Sequence, residues 1–279
     1  MNRKYKAYAL TGIILVILSA VAFMQTFPFY LKFVDSLHNI EFIPEYNVLY
    51  WLPQQFSPYN YVLAFIRGDL LNGLINSLIH TILFTTISLT IALITGYVLG
   101  KMEFKGKKLI TILLLSTMMI PGEVMMIPNF LLVQQLGWTN NLLGIILPGI
   151  VNVFGIFLIK QYMNNIPNAV LESADIDGAN EITKIFKVVL PMSKPVVITY
   201  AILTFTATWN DYLWPMIVIK DPRFFTLQLK MYQFYPQFGG AADGFVRSAG
   251  MIMITIPIII MYMLFQKYFL ASSNVAGIK

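Results

Sequence analysis

Six stretches of this 279-residue chain run for twenty residues or more with few or no charged side chains, and polar, basic or proline-rich segments separate them. A helix needs about 20 mostly apolar residues to cross roughly 30 Å of hydrocarbon. That length places spans at 7–27, 77–100, 109–133, 142–162, 196–219 and 248–269. The third is interrupted by Pro121, Gly122, Glu123 and Pro128, the fifth contains Asp211, and Pro257 predicts a kink in the sixth. Backbone amides in lipid must be paired within the segment, which helices achieve, and the short alternating segments of a transmembrane barrel are absent. The pattern predicts an all-α integral membrane protein.

The separators differ in character. Residues 28–70 carry Pro44, Pro53, Pro58 and many aromatics, and read as an ordered loop with short helices at most. Residues 101–108 form a brief basic turn, and 220–247 form a loop ending in the glycine-rich stretch from Gly239 to Gly244. At the start, Arg3-Lys4 and an apolar run reaching Ala20-Val21-Ala22 resemble a secretory signal, but the run continues to Phe29 and is long enough to span. No short repeat and no low-complexity tract breaks the chain. It reads as a first helix with its loop (1–75), a transmembrane core (76–270) and a tail (271–279).

Composition agrees. Apolar residues make up 57% and charged residues 11%, against roughly 25% charged in soluble domains. The net charge of +6 needs no nucleic acid, because the cations flank the spans. With the amino terminus inside, thirteen of the 19 Lys and Arg fall in cytoplasmic segments and six outside. That bias predicts both termini in the cytoplasm. The absence of cysteine excludes disulfides and thiolate metal sites. His38 and His80 are single, without metal-ligand spacing, and Gly106-Lys107-Lys108 lacks the Ser or Thr of a phosphate loop. The expectation is that this chain binds no metal and no cofactor.

The most informative segment is 163–195. Pro167 can open a helix, and Asp177-Gly178 breaks it. A second helix over 181–189, ending before Pro191, carries Ile182, Ile185, Phe186 and Val189 at helical spacing on one face. Two such arms suit docking into a groove on another protein, or equally an amphipathic segment resting on a membrane.

Here the chain resembles the permease subunits of binding-protein-dependent ABC importers. Their loop reads E-A-A, three residues, G, nine residues, I-x-L-P. This chain has Glu172-Ser173-Ala174, then Gly178, then Val188-Val189-Leu190-Pro191; Ser173 and Val188 depart from the strict form. Asn76-Ser77-Leu78, Met119-Ile120-Pro121-Gly122 and Trp209-Asn210-Asp211-Tyr212-Leu213-Trp214-Pro215 resemble the carbohydrate branch, and in particular its shorter, six-span maltose-type subunit. So does the tail to Gly277-Ile278-Lys279, although Ala271-Ser272-Ser273-Asn274 replaces the usual glycine-rich version. The resemblance implies the type I importer permease fold in a bacterial plasma membrane. It implies a coupling loop formed by Glu172, Ser173, Ala174, Asp177, Gly178, Ala179, Leu190 and Pro191. It also implies a second homologous permease, two ATPase subunits that use ATP and Mg, and an extracytoplasmic sugar-binding protein.

Ionisable groups in a span are costly and mark candidate sites. Asp211, beside Trp209, Asn210 and Tyr212, offers the aromatic faces and hydrogen-bonding groups that a sugar needs. The other reading is an interfacial anchor. Glu123 either meets substrate or satisfies amides freed by Pro121-Gly122. Thr81, Thr85, Thr86, Thr90 and Thr95 read as helix-packing residues. No catalytic cluster appears, so the chain reads as a sugar-import permease rather than an enzyme. Glycerol phosphate or polyol uptake is the alternative, and an ion-coupled transporter fits less well because internal repeats and buried charge relays are absent.

Overall fold

A computed structural model describes residues 2–42, 48–237 and 241–276. Pro44, Gly239, Gly240 and Gly277-Ile278-Lys279 lie outside the described residues. Among those described there are helices and turns and no strand. The helices are α1 (Asn2–Ser36), α2 (Tyr59–Arg67), α3 (Leu70–Lys101), α4 (Lys107–Thr117), α5 (Met126–Gln135), α6 (Leu142–Ile146) and α7 (Val153–Met163). They continue with α8 (Asn168–Ile176), α9 (Glu181–Thr183), α10 (Leu190–Met192), α11 (Lys194–Asn210), α12 (Leu213–Val218), α13 (Leu227–Gln237) and α14 (Ala241–Ala276).

Three helical stretches are long and apolar enough to cross a membrane unbroken: Leu10–Ser36, Leu70–Lys101 and Gly244–Gln266. Three more are bent pairs: Lys107–Thr117 with Gly122–Gln135 at 90°, Leu142–Gly149 with Val153–Met163 at 45°, and Glu181–Met192 with Lys194–Asn210 at 86°. Counting each pair as one span gives six by length and composition, the number expected from hydropathy, although Glu181–Met192 falls in the segment read as a loop and only Lys194–Asn210 falls in the expected fifth span. The first bend falls at Pro121, as the sequence predicts. The second was not legible, because Ile150 and Val151 keep the run apolar; Asn152 starts α7 by accepting from the Gly155 amide at 3.1 Å.

Other boundaries shift. α1 runs past Pro28 to Ser36, so the segment after residue 27 begins as helix. The fifth span ends at Asn210 instead of continuing to 219. Asp211 is extended, at φ −71° and ψ 120°, and its Oδ1 accepts from the amides of Leu213 at 3.1 Å and Trp214 at 3.3 Å. Asp211 therefore sits in a helix break, not within a helix. The second arm of the 163–195 loop also continues through Pro191 to Met192. Its middle, Lys184–Val189, is wound as a π-helix, and the Leu190 amide reaches back to the Ile185 carbonyl. Pro191, which has no amide hydrogen, is accommodated just beyond that wider turn.

The chain divides into two compact units. One comprises α1, α2 and the stretch Met231–Ile256. Within it, Asn60 Nδ2 donates to the carbonyls of Ser36 at 3.0 Å and His38 at 2.6 Å, and the His38 ring stacks on Phe245 with centroids 4.9 Å apart. The apolar side chains of α1 from Leu10 to Phe23 are exposed, as expected of a helix whose solvent is lipid.

The second unit, with α3 to α12, holds both candidate sites. One apolar cluster joins Tyr97, Ile159, Met163, Leu171, Ile185, Val189 and Tyr200, and another joins Val133, Ile145, Val218, Phe225 and Leu229. α3 and α7 approach closely, because a Cβ on Gly96 would lie 2.8 Å from Ile159 and one on Gly100 2.6 Å from Met163.

Candidate functional site

The first site is the helical hairpin from Asn168 to Met192. Pro167 is extended at φ −63°, ψ 136° and starts α8. Gly178 is left-handed at φ +77°, a conformation that favours glycine. The turn closes with Ala179 N donating to Ala174 O at 2.9 Å and Gly178 N to Asp175 O at 3.0 Å. Asn180 then begins the second arm by accepting from the Thr183 amide at 2.8 Å.

Each arm has a buried and an exposed face. Leu171 and Ala174 are buried in the unit, so the Ala174 methyl packs inward. Glu172, Ser173, Asp177 and Gly178 are exposed, Ala179 and Leu190 are half-buried, and Pro191 is exposed. Ser173 Oγ is turned onto its own helix, donating to Ala169 O at 2.8 Å. The apolar stripe of the second arm is split: Ile185 and Val189 are buried, while Ile182 is 69% and Phe186 43% exposed. Ile176, at the end of the first arm, is 87% exposed. Ile176 was not singled out in the sequence; its signal is an isoleucine between Asp175 and Asp177 beside a glycine turn, where burial is hard to arrange.

Asp175, Glu181 and Lys184 hold the hairpin together. Lys184 Nζ lies 2.7 Å from Asp175 Oδ1 and also pairs with Glu181. The hairpin is fastened to α3 by Tyr97 and Lys101. Tyr97 Oη donates to Glu181 Oε2 at 2.8 Å, and Lys101 Nζ donates to Ile166 O at 2.6 Å and Asn168 Oδ1 at 2.8 Å.

The second site is a cavity of about 470 Å³ at the breaks in the bent spans. His80 and Phe84 of α3, Gly122, Met126 and Asn129, the turn with Pro148, Gly149 and Asn152, and Thr204, Thr208, Asn210, Asp211 and Trp214 line it. Of the five residues predicted near a pore, Asn210 and Asp211 reach this cavity. Trp209 points elsewhere: it is 1% exposed and stacks on Phe205 with centroids 5.9 Å apart. Tyr212 is 43% exposed and is not among the lining residues. Glu123 is exposed beside the lining residue Gly122, and among the described residues nothing bonds to its carboxylate.

The lining combines aromatic faces, Phe84 and Trp214, with amides, hydroxyls, an imidazole and one carboxylate. Lys and Arg are absent from the described lining. Trp214 is oriented by its indole nitrogen donating to Gly144 O at 3.2 Å, and Asn210 Nδ2 is spent on Thr206 O at 2.9 Å. Such an arrangement can accept hydroxyl protons and stack on C–H surfaces. His80, Asn129 and Asn152 were not among the predicted pore residues. Asn152 could have been found as an Asn immediately before an apolar helical run, and His80 as an ionisable group inside a span.

Comparison with known proteins places these features in a family context. The description "Binding-protein-dependent transport system inner membrane component" matches residues 89–273. The chain is 35% identical over 186 residues to the arabinooligosaccharides transport system permease protein of Halalkalibacterium halodurans, covering 67% of this chain and 66% of that one. The corresponding Bacillus subtilis protein is 36% identical over 184 residues, covering 66% and 65%. The match therefore spans just under two thirds of those relatives. The melibiose/raffinose/stachyose import permease protein of Bacillus subtilis is 27% identical over 96% of both chains. Among solved structures, a bacterial ABC transporter involved in the import of the acidic polysaccharide alginate matches with a TM-score of 0.85 at 24% identity, over 96% of this chain and 99% of that one. At that identity the likeness concerns the fold.

Proposed function

The chain belongs to the binding-protein-dependent transport system inner membrane components, and from that premise we propose that it forms one half of the pathway of an ATP-driven oligosaccharide importer. Its fold is that of a type I importer permease. Both termini and the 168–192 hairpin face the cytoplasm, where the hairpin seats in a cleft of an ATPase subunit. A second homologous permease completes the pathway. Two ATPase copies bind ATP and Mg, this chain holds no nucleotide, and an extracytoplasmic binding protein delivers the sugar.

The observation that carries this reading is the hairpin's pair of faces. Its inner side is bolted to the unit through Lys184, Tyr97 and Lys101, while its tip presents Ile176 at 87% and Ile182 at 69% exposure. Glu172 and Asp177 stand exposed beside them. An apolar knob ringed by carboxylates, held on a rigid base, suits a groove with a basic rim on a protein. It suits an anionic membrane surface poorly.

The cavity favours an uncharged glycan. Its described lining has one carboxylate and no cation, whereas a glycerol phosphate is best matched by Arg or Lys. The oligosaccharide names of the relatives point the same way.

The test is reconstitution of the chain with its neighbouring subunits in proteoliposomes. ATP hydrolysis is expected to rise when binding protein and its oligosaccharide are added together. Uptake by this polypeptide alone, driven by an ion gradient, would refute the reading.

A further inference from the structure

Lys184 has only 7% of its side chain exposed. A buried ammonium is costly unless it is paired and hydrogen-bonded. Here carboxylates meet it from both sides of the Gly178 turn, Asp175 from α8 and Glu181 from α9. The second oxygen of Glu181 accepts from Tyr97 on α3. Four residues further on, Lys101 grips the entry to α8. Both arms of the hairpin are thus fastened to one end of one helix.

That helix also builds the cavity. His80 and Phe84 project from α3 into it, and Phe84 precedes Tyr97 by thirteen residues, about 20 Å along a helix axis. α3 contains no proline, so it lacks the commonest cause of a kink. α7 and α11 flank the hairpin in sequence and follow its movement through the backbone. α3 does not: Tyr97 and Glu181 are 84 residues apart. Side chains link α3 to the hairpin: the polar ties of Tyr97 and Lys101, beside the apolar cluster that Tyr97 shares with Leu171, Ile185 and Val189.

Resting on the importer reading, we propose that α3 is the rod that carries hairpin movement to the cavity wall, and that the Tyr97–Glu181–Lys184 chain is its joint. Tyr97 and Lys184 are positioning residues: neither lines the cavity nor forms the exposed tip. When the ATPase subunits draw the hairpin inward, Glu181 and Lys184 move with it. Tyr97 then draws α3, shifting His80 and Phe84 relative to Asp211 across the cavity.

The chain has no cysteine, so Phe84→Cys places a single reporter thiol in the cavity wall. In membrane vesicles carrying the complete complex, its reaction with a maleimide is followed with and without ATP and vanadate, reading the label on this chain after gel separation. The expected result is a labelling rate that changes several-fold with nucleotide. Adding Tyr97→Phe, which removes only the hydroxyl, is expected to reduce that change by about tenfold, the scale set by one hydrogen bond to a charged group, and Tyr97→Phe with Phe84 intact is expected to reduce sugar uptake to a similar degree. The amount of assembled complex and its unstimulated ATP hydrolysis stay within about twofold. Lys101→Met, which cuts the second tie, moves the same readouts in the same direction.

An unchanged nucleotide response with Tyr97→Phe overturns the proposal. So does uptake that falls only in proportion to assembled complex, because the joint then merely holds the fold. A Phe84→Cys thiol that ignores nucleotide, in a complex whose hydrolysis still responds to sugar, overturns the rod and leaves the importer standing. A parent complex whose hydrolysis ignores binding protein and sugar brings down the importer reading itself.

Discussion

The hydroxyl groups of Ser88 and Tyr200 lie 2.7 Å apart, and this bond holds the hydroxyl-bearing edge of Tyr200 against α7 at Gly155. A Cβ on Gly155 would lie 2.2 Å from Tyr200 Cζ and 2.4 Å from its Cε2, and Tyr200 is itself 1% exposed. Three helices meet at one point: α3 through Ser88, α7 through Gly155 and α11 through Tyr200. Gly155→Ala is therefore expected to overpack the junction at about 1–3 kcal/mol. Ser88→Ala leaves a buried phenol without its partner, at about 1–3 kcal/mol. Thermal unfolding of the purified chain in detergent should show Gly155→Ala melting below the parent. A melting temperature equal to the parent's would mean that α7 and α11 slide apart at no cost.

Asp211 has two roles that two substitutions separate. Its Oδ1 caps α12 through the Leu213 and Trp214 amides, and its carboxylate also lines the cavity. Asp211→Asn keeps an acceptor for the amides and removes the charge; Asp211→Ala removes both. Losing a cap costs about 1 kcal/mol, so Asp211→Ala is expected to lower stability while Asp211→Asn leaves it nearly unchanged. If the carboxylate meets sugar, uptake falls in both. Normal uptake with Asp211→Asn would make Asp211 a capping residue alone.

The split between what the sequence revealed and what it did not follows the range of the interactions. The break at Pro121-Gly122 and the turn at Asp177-Gly178 are legible because proline and glycine act on their own backbone. The break before Asn152 is hidden, since hydropathy does not change where the helix axis does. Asp211 looked like a residue within a span because Leu213 and Trp214 continue the apolar run. The periodicity of Ile182, Ile185, Phe186 and Val189 is real, yet it cannot say which pair is covered. Burial is decided by Tyr97, Leu171 and Tyr200, residues that lie outside that arm. The cavity is the extreme case: it gathers His80, Asn129, Asn152 and Asp211, and no local pattern joins them. The motif at 172–191 carried the functional reading early because the hairpin proposed to dock is contiguous in the chain.

At Gly178 the expected effect comes from backbone strain. An added Cβ would meet nothing within 4 Å, but φ is +77°, a region that disfavours a β-branched side chain. Gly178→Val should strain the turn by about 1–3 kcal/mol, tilting the two arms relative to each other. Uptake is expected to fall steeply while the chain still inserts and folds. Gly178→Asn should retain more activity than Gly178→Val, because Asn tolerates this conformation. Equal activity in the two variants would show that bulk against the partner, and not the turn, sets the requirement.

Ile176 and Ile182 give the cleanest separation of docking from folding. They are 87% and 69% exposed, so replacing either with Asp removes almost no burial within this chain. Surface changes of that kind usually alter stability by less than about 0.5 kcal/mol. At an interface the outcome differs, because an apolar anchor that fills a pocket can contribute about 2 kcal/mol or more, and a carboxylate in its place must be desolvated. Ile176→Asp with Ile182→Asp is therefore expected to leave the melting temperature of the isolated chain unchanged. Co-purification of the ATPase should fall at least tenfold. Leu171→Asp is the contrasting control: Leu171 is 8% exposed, so the same chemistry there should unfold the hairpin and lower the melting temperature. Should the double tip variant retain its ATPase in full, the hairpin would have to dock through another face.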